Sequence, residues 1–200
     1  MKRKRPYRQR KRAVLQDETR RRIVEAAVEL HCSIGPARTT VSQIAERAGV
    51  QRNTYYAHFP EERDLFLACS ASSLERDPLP DPEAWTGHAP GRERLAAGLA
   101  ELYRWFARNR EMVDNVTRDA AVHELTREMM ELRFMPALAR MAEVLGEGLG
   151  ERARGMIAVA MDPATSRTLA QWHDPEAAAD LLAEAIAAIQ AGEVEKGFPT

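Results

Sequence analysis

The chain has 200 residues, 44% hydrophobic and 30% charged, with a formal net charge of −1. That length suits one domain or two small ones with a real core. No apolar run approaches the roughly 18 residues that a membrane-spanning helix needs, and the charged N-terminus has no apolar segment behind it, so it reads as no secretory signal.

Aromatic residues make up 6% of the chain, while Ala, Leu, Glu and Arg dominate. This is a helix-forming mixture, and no stretch alternates as a strand would, so the expected fold class is all-α. Cys32 and Cys69 sit within helical patterns rather than in a spaced framework, and both fit a reducing cytoplasm. The near-zero net charge hides an asymmetry: residues 1–67 hold 15 Lys and Arg against 8 Asp and Glu, and the remainder holds 14 against 22. A basic first third on an acidic body points to nucleic-acid contact at one end.

Residues 1–15, MKRKRPYRQRKRAVL, form a basic arm. Arg5, Arg8, Arg10 and Arg12 repel one another in a segment of low apolar content, so disorder is expected until a polyanion is bound. A helix is predicted from about Asp17 to Ile34, with Ile23, Ala26, Ala27, Leu30 and Ile34 as its apolar stripe. Arg20, Arg21 and Arg22 then fall in its early turns, where the helix dipole disfavours cations. Gly35 and Pro36 end it.

The stretch TTVSQIAERAGVQRNTYYAHF, residues 39–59, carries the clearest signal. Thr40 and Gln43 fit a capping box for a second helix. That helix packs through Val41, Ile44, Ala45 and Ala48, and Ala48-Gly49-Val50 makes a tight turn. Gln51 opens a third helix on which Tyr55 and Phe59 face inward, while Arg52, Asn53 and Tyr56 share the other side. This is the plan of a helix-turn-helix whose second helix reads the major groove. A fourth helix is expected to start at Pro60, with Leu65, Phe66 and Cys69 on its apolar face.

Residues 77–91 are rich in proline and read as a connection without structure of its own. Helices are then expected over Arg92–Asn109, Glu111–Asp119, Val122–Leu145 with a kink or break at Pro136, and Arg152–Trp172 bent or divided at Pro163. Asp174-Pro175-Glu176 marks a final start, an N-cap followed by proline. The expected organisation is an arm over 1–15, a helix-turn-helix domain over 16–66 and a helical body over 67–200.

The N-terminal unit resembles the TetR family of bacterial transcriptional repressors. The resemblance rests on Ile23, Ala26, Ala27 and Leu30, then Gly35, Thr39-Thr40-Val41, Ile44-Ala45, Ala48-Gly49-Val50, Thr54, Tyr56 and His58-Phe59. It covers roughly residues 17–66. His31 and Pro36 stand where that family commonly has aromatic residues. The resemblance implies about nine helices, a homodimer, a C-terminal domain that takes a small effector, and release from a roughly palindromic DNA operator. It also implies that the last two helices of each subunit pair. Met161, Leu169 and Trp172 would contribute to that interface, with Leu181, Leu182, Ala185, Ile186 and Ile189 from the final helix.

Candidate DNA contacts follow from residue chemistry. Arg52 can donate twice to a guanine edge, Gln51 and Asn53 can pair with adenine, and Thr54 can meet a thymine methyl; phosphate contact is the alternative for each. Tyr56 and His58 resemble the family's phosphate-contacting positions. Thr40 combines capping with a helix N-terminus that favours anions. Arg38 and Arg63 either hold phosphates or are merely solvated.

An aromatic and methionine stock suggests a mainly apolar effector pocket: Tyr103, Trp105, Phe106, Met130, Phe134 and Met156. Asn115, Asp119 and His123 offer polar groups to orient a ligand. Asp119 and His123, four apart, suit a surface pair better than a metal site. No cofactor is expected. The chain has no paired carboxylates at a useful spacing, no nucleophile elbow, no H-E-x-x-H and no phosphate-cradling loop, so no enzyme is expected. The rival reading is a DNA-binding activator or architectural protein without an effector.

Overall fold

The computed structural model describes the backbone of residues 4–195 and the side chains of residues 11–192. Its α-helices are α1 (Lys4–Ser33), α2 (Val41–Arg47), α3 (Arg52–His58), α4 (Glu62–Arg76), α5 (Arg92–Arg108), α6 (Arg110–Ala120), α7 (Glu124–Met129), α8 (Met135–Leu145), α9 (Glu151–Ala160), α10 (Pro163–Leu169) and α11 (Pro175–Glu195). Short 3-10 turns lie at Pro36–Arg38 and Pro82–Gly87, and a π-helical turn at Met130–Phe134 precedes α8. Among the described residues there is no strand, so the all-α expectation holds.

The helices outnumber the nine expected because proline divides two of them. Pro136 has no N–H, and its ring crowds the carbonyl four residues earlier; the wide turn over Met130–Phe134 absorbs that clash. Pro163 instead starts α10, with the Asp162 carboxylate accepting from the Ala164 N–H at 2.6 Å. Pro60 does not open the fourth helix. It lies outside α4, whose N-cap is Glu61.

α1 begins thirteen residues earlier than expected and takes in most of the basic arm. Lys, Arg and Gln are good helix formers, and extending a helix costs far less than nucleating one. The packed half around Ile23 supplies the nucleus, and this outweighs like-charge repulsion. Arg20, Arg21 and Arg22 are therefore mid-helix, where the dipole penalty does not apply. Residues 1–3, and the side chains of Arg5, Arg8 and Arg10, lie outside the described residues.

The chain divides into two compact units, and the division is not linear. The first comprises residues 1–78 with 115–130; the second comprises 79–114 with 131–200. In the first, Ile23, Ala27, Leu30, Ile44, Tyr55, Phe59, Leu65 and Cys69 form one core. In the second, α5 and α11 pack along each other, and Trp85, Leu95, Leu99, Tyr103, Met141, Leu145, Ile157 and Ile186 share the core. The proline-rich connection is thus not featureless: Trp85 on its 3-10 turn is 1% exposed and donates from Nε1 to Glu101 at 2.8 Å.

Trp85 and Leu145 close directly on Gly98 of α5. A Cβ there would lie 2.7 Å from Leu145 and 2.9 Å from Trp85. Gly98→Ala would ordinarily favour a helix by about 0.5–1 kcal/mol. Here overpacking should dominate and destabilise by about 1–3 kcal/mol, read as a lower urea midpoint.

The second half of α6 belongs to the first unit because its side chains finish α1. The last carbonyls of a helix lack intrahelical partners. Asn115 Nδ2 donates to the Cys32 carbonyl, and Arg118 Nη2 to the Ile34 carbonyl at 3.2 Å. Asp119, 2% exposed, accepts from the Ala37 N–H at 2.9 Å and from Arg118 Nε at 2.7 Å. Burial works against the Asp119 charge, but the Arg118 bond and the Ala37 N–H outweigh it and hold the carboxyl below its ordinary value. Gly35 fits beneath at φ 96°, and a Cβ there would collide with Arg118 and Asp119. Asp119→Ala strands the Ala37 N–H and should cost about 2 kcal/mol. Hydrogen exchange at Ala37 should accelerate with it; unchanged exchange would mean another group holds the turn.

His31, 8% exposed near the end of α1, has its ring 5.0 Å from that of Phe66, which stacks at 5.5 Å on His123. Burial keeps the imidazole neutral and pulls its pKa from 6.5 to about 4; His123 adds to this and Asp119 opposes it. As the pH falls, the unfolded chain takes up this proton first. His31's contribution is therefore full above its unfolded value of 6.5 and is lost as the pH drops toward about 4. His31→Phe should remove about 2 kcal/mol of the stability lost between about pH 7 and pH 5. Urea midpoints with the same pH slope in both proteins would assign the loss elsewhere.

Candidate nucleic-acid interface

The capping box is formed as expected. Thr40 Oγ1 accepts from the Gln43 N–H at 3.3 Å, and Gln43 Oε1 accepts from the Thr40 N–H at 2.8 Å. This fixes where α2 begins. Its other end closes through the Val50 N–H on the Ala45 carbonyl at 2.9 Å, across Gly49. Gln51, extended, is the N-cap of α3 rather than its first helical residue.

α3 is held by its buried side. Tyr55 and Phe59 are 1% and 0% exposed, and each contributes about 2–3 kcal/mol by leaving water. Their burial decides the opposite face: Gln51, Arg52, Asn53 and Tyr56 are exposed, and Thr54 and His58 are half-buried. The Tyr56 ring meets Tyr55 edge-on at 5.3 Å, which restricts how it stands off the helix. Thr40 and Arg38 are also exposed on this unit.

Several arginines prove to be structural. Arg20 donates to the His58 carbonyl at 2.9 Å and stacks its guanidinium 4.0 Å over the Phe59 ring, so α1 closes the end of α3. Arg22 reaches the Gly49 carbonyl at 3.4 Å. Arg21 bonds Glu18 and Glu25, each at 2.7 Å, and Arg47 bonds Glu29 at 2.8 Å. Arg63, expected at a phosphate, is paired with Glu128 of α7 at 2.6 Å. Arg12 is exposed on α1. The roles of Arg20 and Arg22 escaped the sequence reading because both act on backbone carbonyls more than 25 residues away.

The residues expected around one effector divide between the two units. Asn115, Asp119, His123 and Met130 fall in the first unit, where the first two hold the turn after α1 and His123 N-caps α7. Asp119 is buried rather than half of a surface pair. Tyr103, Trp105, Phe106, Phe134 and Met156 fall in the second unit. There Trp105 packs 5.9 Å from Phe106 and 6.4 Å from Phe134, as core. No cluster of metal-ligating residues occurs among the described residues.

The residues expected at a dimer interface also divide. Met161 and Ile186 are buried in the chain's own core. Trp172 is 71% and Leu181 45% exposed; Ala185 is exposed, and Leu169, Leu182 and Ile189 are half-buried. Of the cysteines, Cys69 is buried and its thiol is pushed up to about 12 by that burial, which keeps it unreactive.

Comparison with known proteins places this geometry. Residues 23–69 match the family described as bacterial regulatory proteins, tetR family. The chain is 41% identical over 75 residues to the HTH-type transcriptional regulator SrpR of Pseudomonas putida, covering 36% of this chain and 35% of that one. It is 31% identical over 104 residues to the HTH-type transcriptional repressor KstR of Mycolicibacterium smegmatis, covering 52% and 50%. In fold it is similar to the transcriptional regulator FadR of Bacillus subtilis, with TM-score 0.59, 24% identity and coverage of 83% and 96%. The matched stretch thus spans half or less of SrpR and KstR. With its helix-turn-helix built and matched in this way, the N-terminal unit of the chain is that of the tetR family of bacterial regulatory proteins.

Proposed function

We propose that the protein is a cytoplasmic transcriptional repressor that grips a roughly palindromic operator as a homodimer and lets go when a small, mainly apolar effector binds its second unit. The observation that carries this reading is the α3 surface. Two fully buried aromatics anchor the helix and leave a polar strip of Gln51, Arg52, Asn53 and Tyr56 facing solvent. That strip has the donors that distinguish base pairs in the major groove. The basic extension of α1 suits sequence-independent attraction to phosphates.

Other observations support the finer parts. KstR, which matches through this region, is a repressor. FadR, alike in fold, has been seen with stearoyl-CoA. Trp172 and Leu181, exposed in the single chain, are large apolar side chains that a second copy would cover. A symmetric pair would present two copies of α3 to one face of DNA and require inverted half-sites. The effector must prefer the state that does not bind DNA, or no switching follows. No described helix is long and apolar enough to cross a membrane.

The decisive experiment is selection of duplexes from a random pool by the purified protein. An inverted repeat should emerge. Arg52→Ala should then cost about 1–3 kcal/mol and relax preference at one position per half-site. Truncating residues 1–12 should weaken all duplexes alike and flatten the salt dependence by about 0.9 per lost phosphate contact. An asymmetric motif, or truncation altering base preference more than Arg52→Ala does, would overturn these assignments.

A further inference from the structure

The second unit contains a cleft that the sequence reading did not anticipate. The end of α5, the start of α6, α10 and the start of α11 enclose about 430 Å³ of empty space, part of it open to solvent. Its floor is apolar, made by Tyr103, Phe106, Val113 and Ala178. The Tyr103 hydroxyl does not face a guest as a donor, because it is spent on the Ala160 carbonyl at 2.6 Å.

The polar groups at the cleft have an uneven balance. Asp114 is taken by Arg167 at 2.6 Å, and the Asp174 carboxylate caps α11 through the Ala177 N–H at 2.8 Å. Arg110 lines the same cleft, is exposed, and has no hydrogen bond or ion pair among the described residues. Ser166 also lines it. The residue is 8% exposed, and its hydroxyl has no partner among the described residues. That hydroxyl is free to donate to a polar guest in the cleft. Asp114 is neutralised by Arg167 and Asp174 is held by a backbone N–H, whereas Arg110 and the Ser166 hydroxyl have no protein partner among the described residues.

The geometry points to a binding site for a small carboxylic acid with an apolar body. The body lies on the aromatic floor, Arg110 takes the carboxylate, and Ser166 donates to it or to a second oxygen. A guanidinium is matched to a carboxylate in shape as well as charge. A neutral analogue of the same shape keeps the floor contacts and loses the charge-assisted bond. The site deepens the repressor reading, on which its regulatory meaning rests: α6 contributes Arg110, Val113 and Asp114 to the cleft, and its second half, from Asn115 onward, finishes α1.

The test titrates benzoate, phenylacetate and octanoate, with benzamide as the neutral control, into the full-length protein by calorimetry. At least one acid should bind saturably, with benzamide about tenfold weaker or worse. Arg110→Ala, an exposed change with little reason to unfold the chain, should weaken the acid by about tenfold, and Arg110→Lys should restore part of it. Ser166→Ala should weaken it less. Binding by none of the acids, equal binding of benzamide, or indifference to Arg110→Ala would each overturn the site. Operator affinity, measured separately with and without the bound acid, distinguishes the two readings. Saturable binding that leaves operator affinity unchanged keeps the site and removes its effector role, whereas normal operator binding with no acid bound removes the site and keeps the DNA reading.

Discussion

The first unit depends on how α1 ends. A 30-residue helix must stop where the chain turns toward α2, and its last carbonyls need donors. Local sequence supplies only part of the answer, through Gly35 and the backbone bonds from Ile34 and Gly35 to Leu30. The rest arrives from α6. Asn115 and Arg118 cover carbonyls, and Asp119 receives the Ala37 N–H. A buried carboxylate is tolerable there because it is neutralised by Arg118 and hydrogen-bonded by backbone. With the turn fixed, Thr40 falls where it caps α2, and everything that aims α3 follows from the start of α2.

What could be read in advance was what neighbours in sequence decide. The Thr40–Gln43 box, the inward pair Tyr55 and Phe59, the breaks at Pro136 and Pro163, and the Asp174-Pro175 start all depend on groups within about one helical turn, and all were legible. The misses share the opposite property. Trp85 was hidden because a proline-rich segment gives no periodicity, and only packing against Gly98 and Glu101 makes it core. The clamp from Asp119 to Ala37 spans 82 residues. The same distance explains why the expected effector residues divide between the units: Asn115, Asp119 and His123 share a stretch of chain with ligand-like chemistry, and that stretch folds into the first unit. The extension of α1 is not legible in local composition for an energetic reason: like-charge repulsion opposes it, and the nucleus at Ile23 tips the balance.

The division of labour among arginines sharpens the candidate interface. Counting basic residues in the first third overstates what is available to a phosphate backbone. Arg20, Arg21, Arg47 and Arg63 are engaged with carbonyls, a ring or carboxylates. Exposed pairs of this kind contribute little to stability. Their consequence is electrostatic, because each carboxylate so placed offsets a cation that the sequence suggests is free. Arg38 and Arg52, exposed, and the basic extension of α1 therefore become more important to any attraction between this unit and DNA.

The same reasoning applies to pairing of two copies. Sequence periodicity groups Leu181, Leu182, Ala185, Ile186 and Ile189 as one stripe, but a helix packed on one side cannot offer its whole apolar surface to a partner. Ile186 is consumed by α11's own core, as is Met161 near the end of α9. What remains outward is a narrower strip through Leu181 and Ala185, with Trp172 ahead of it. A strip of small and large apolar residues favours close helix approach with one dominant aromatic anchor. Trp172 and Leu181 are thus the large apolar side chains left outward, whereas loss of Ile186 would be felt as unfolding of the chain itself.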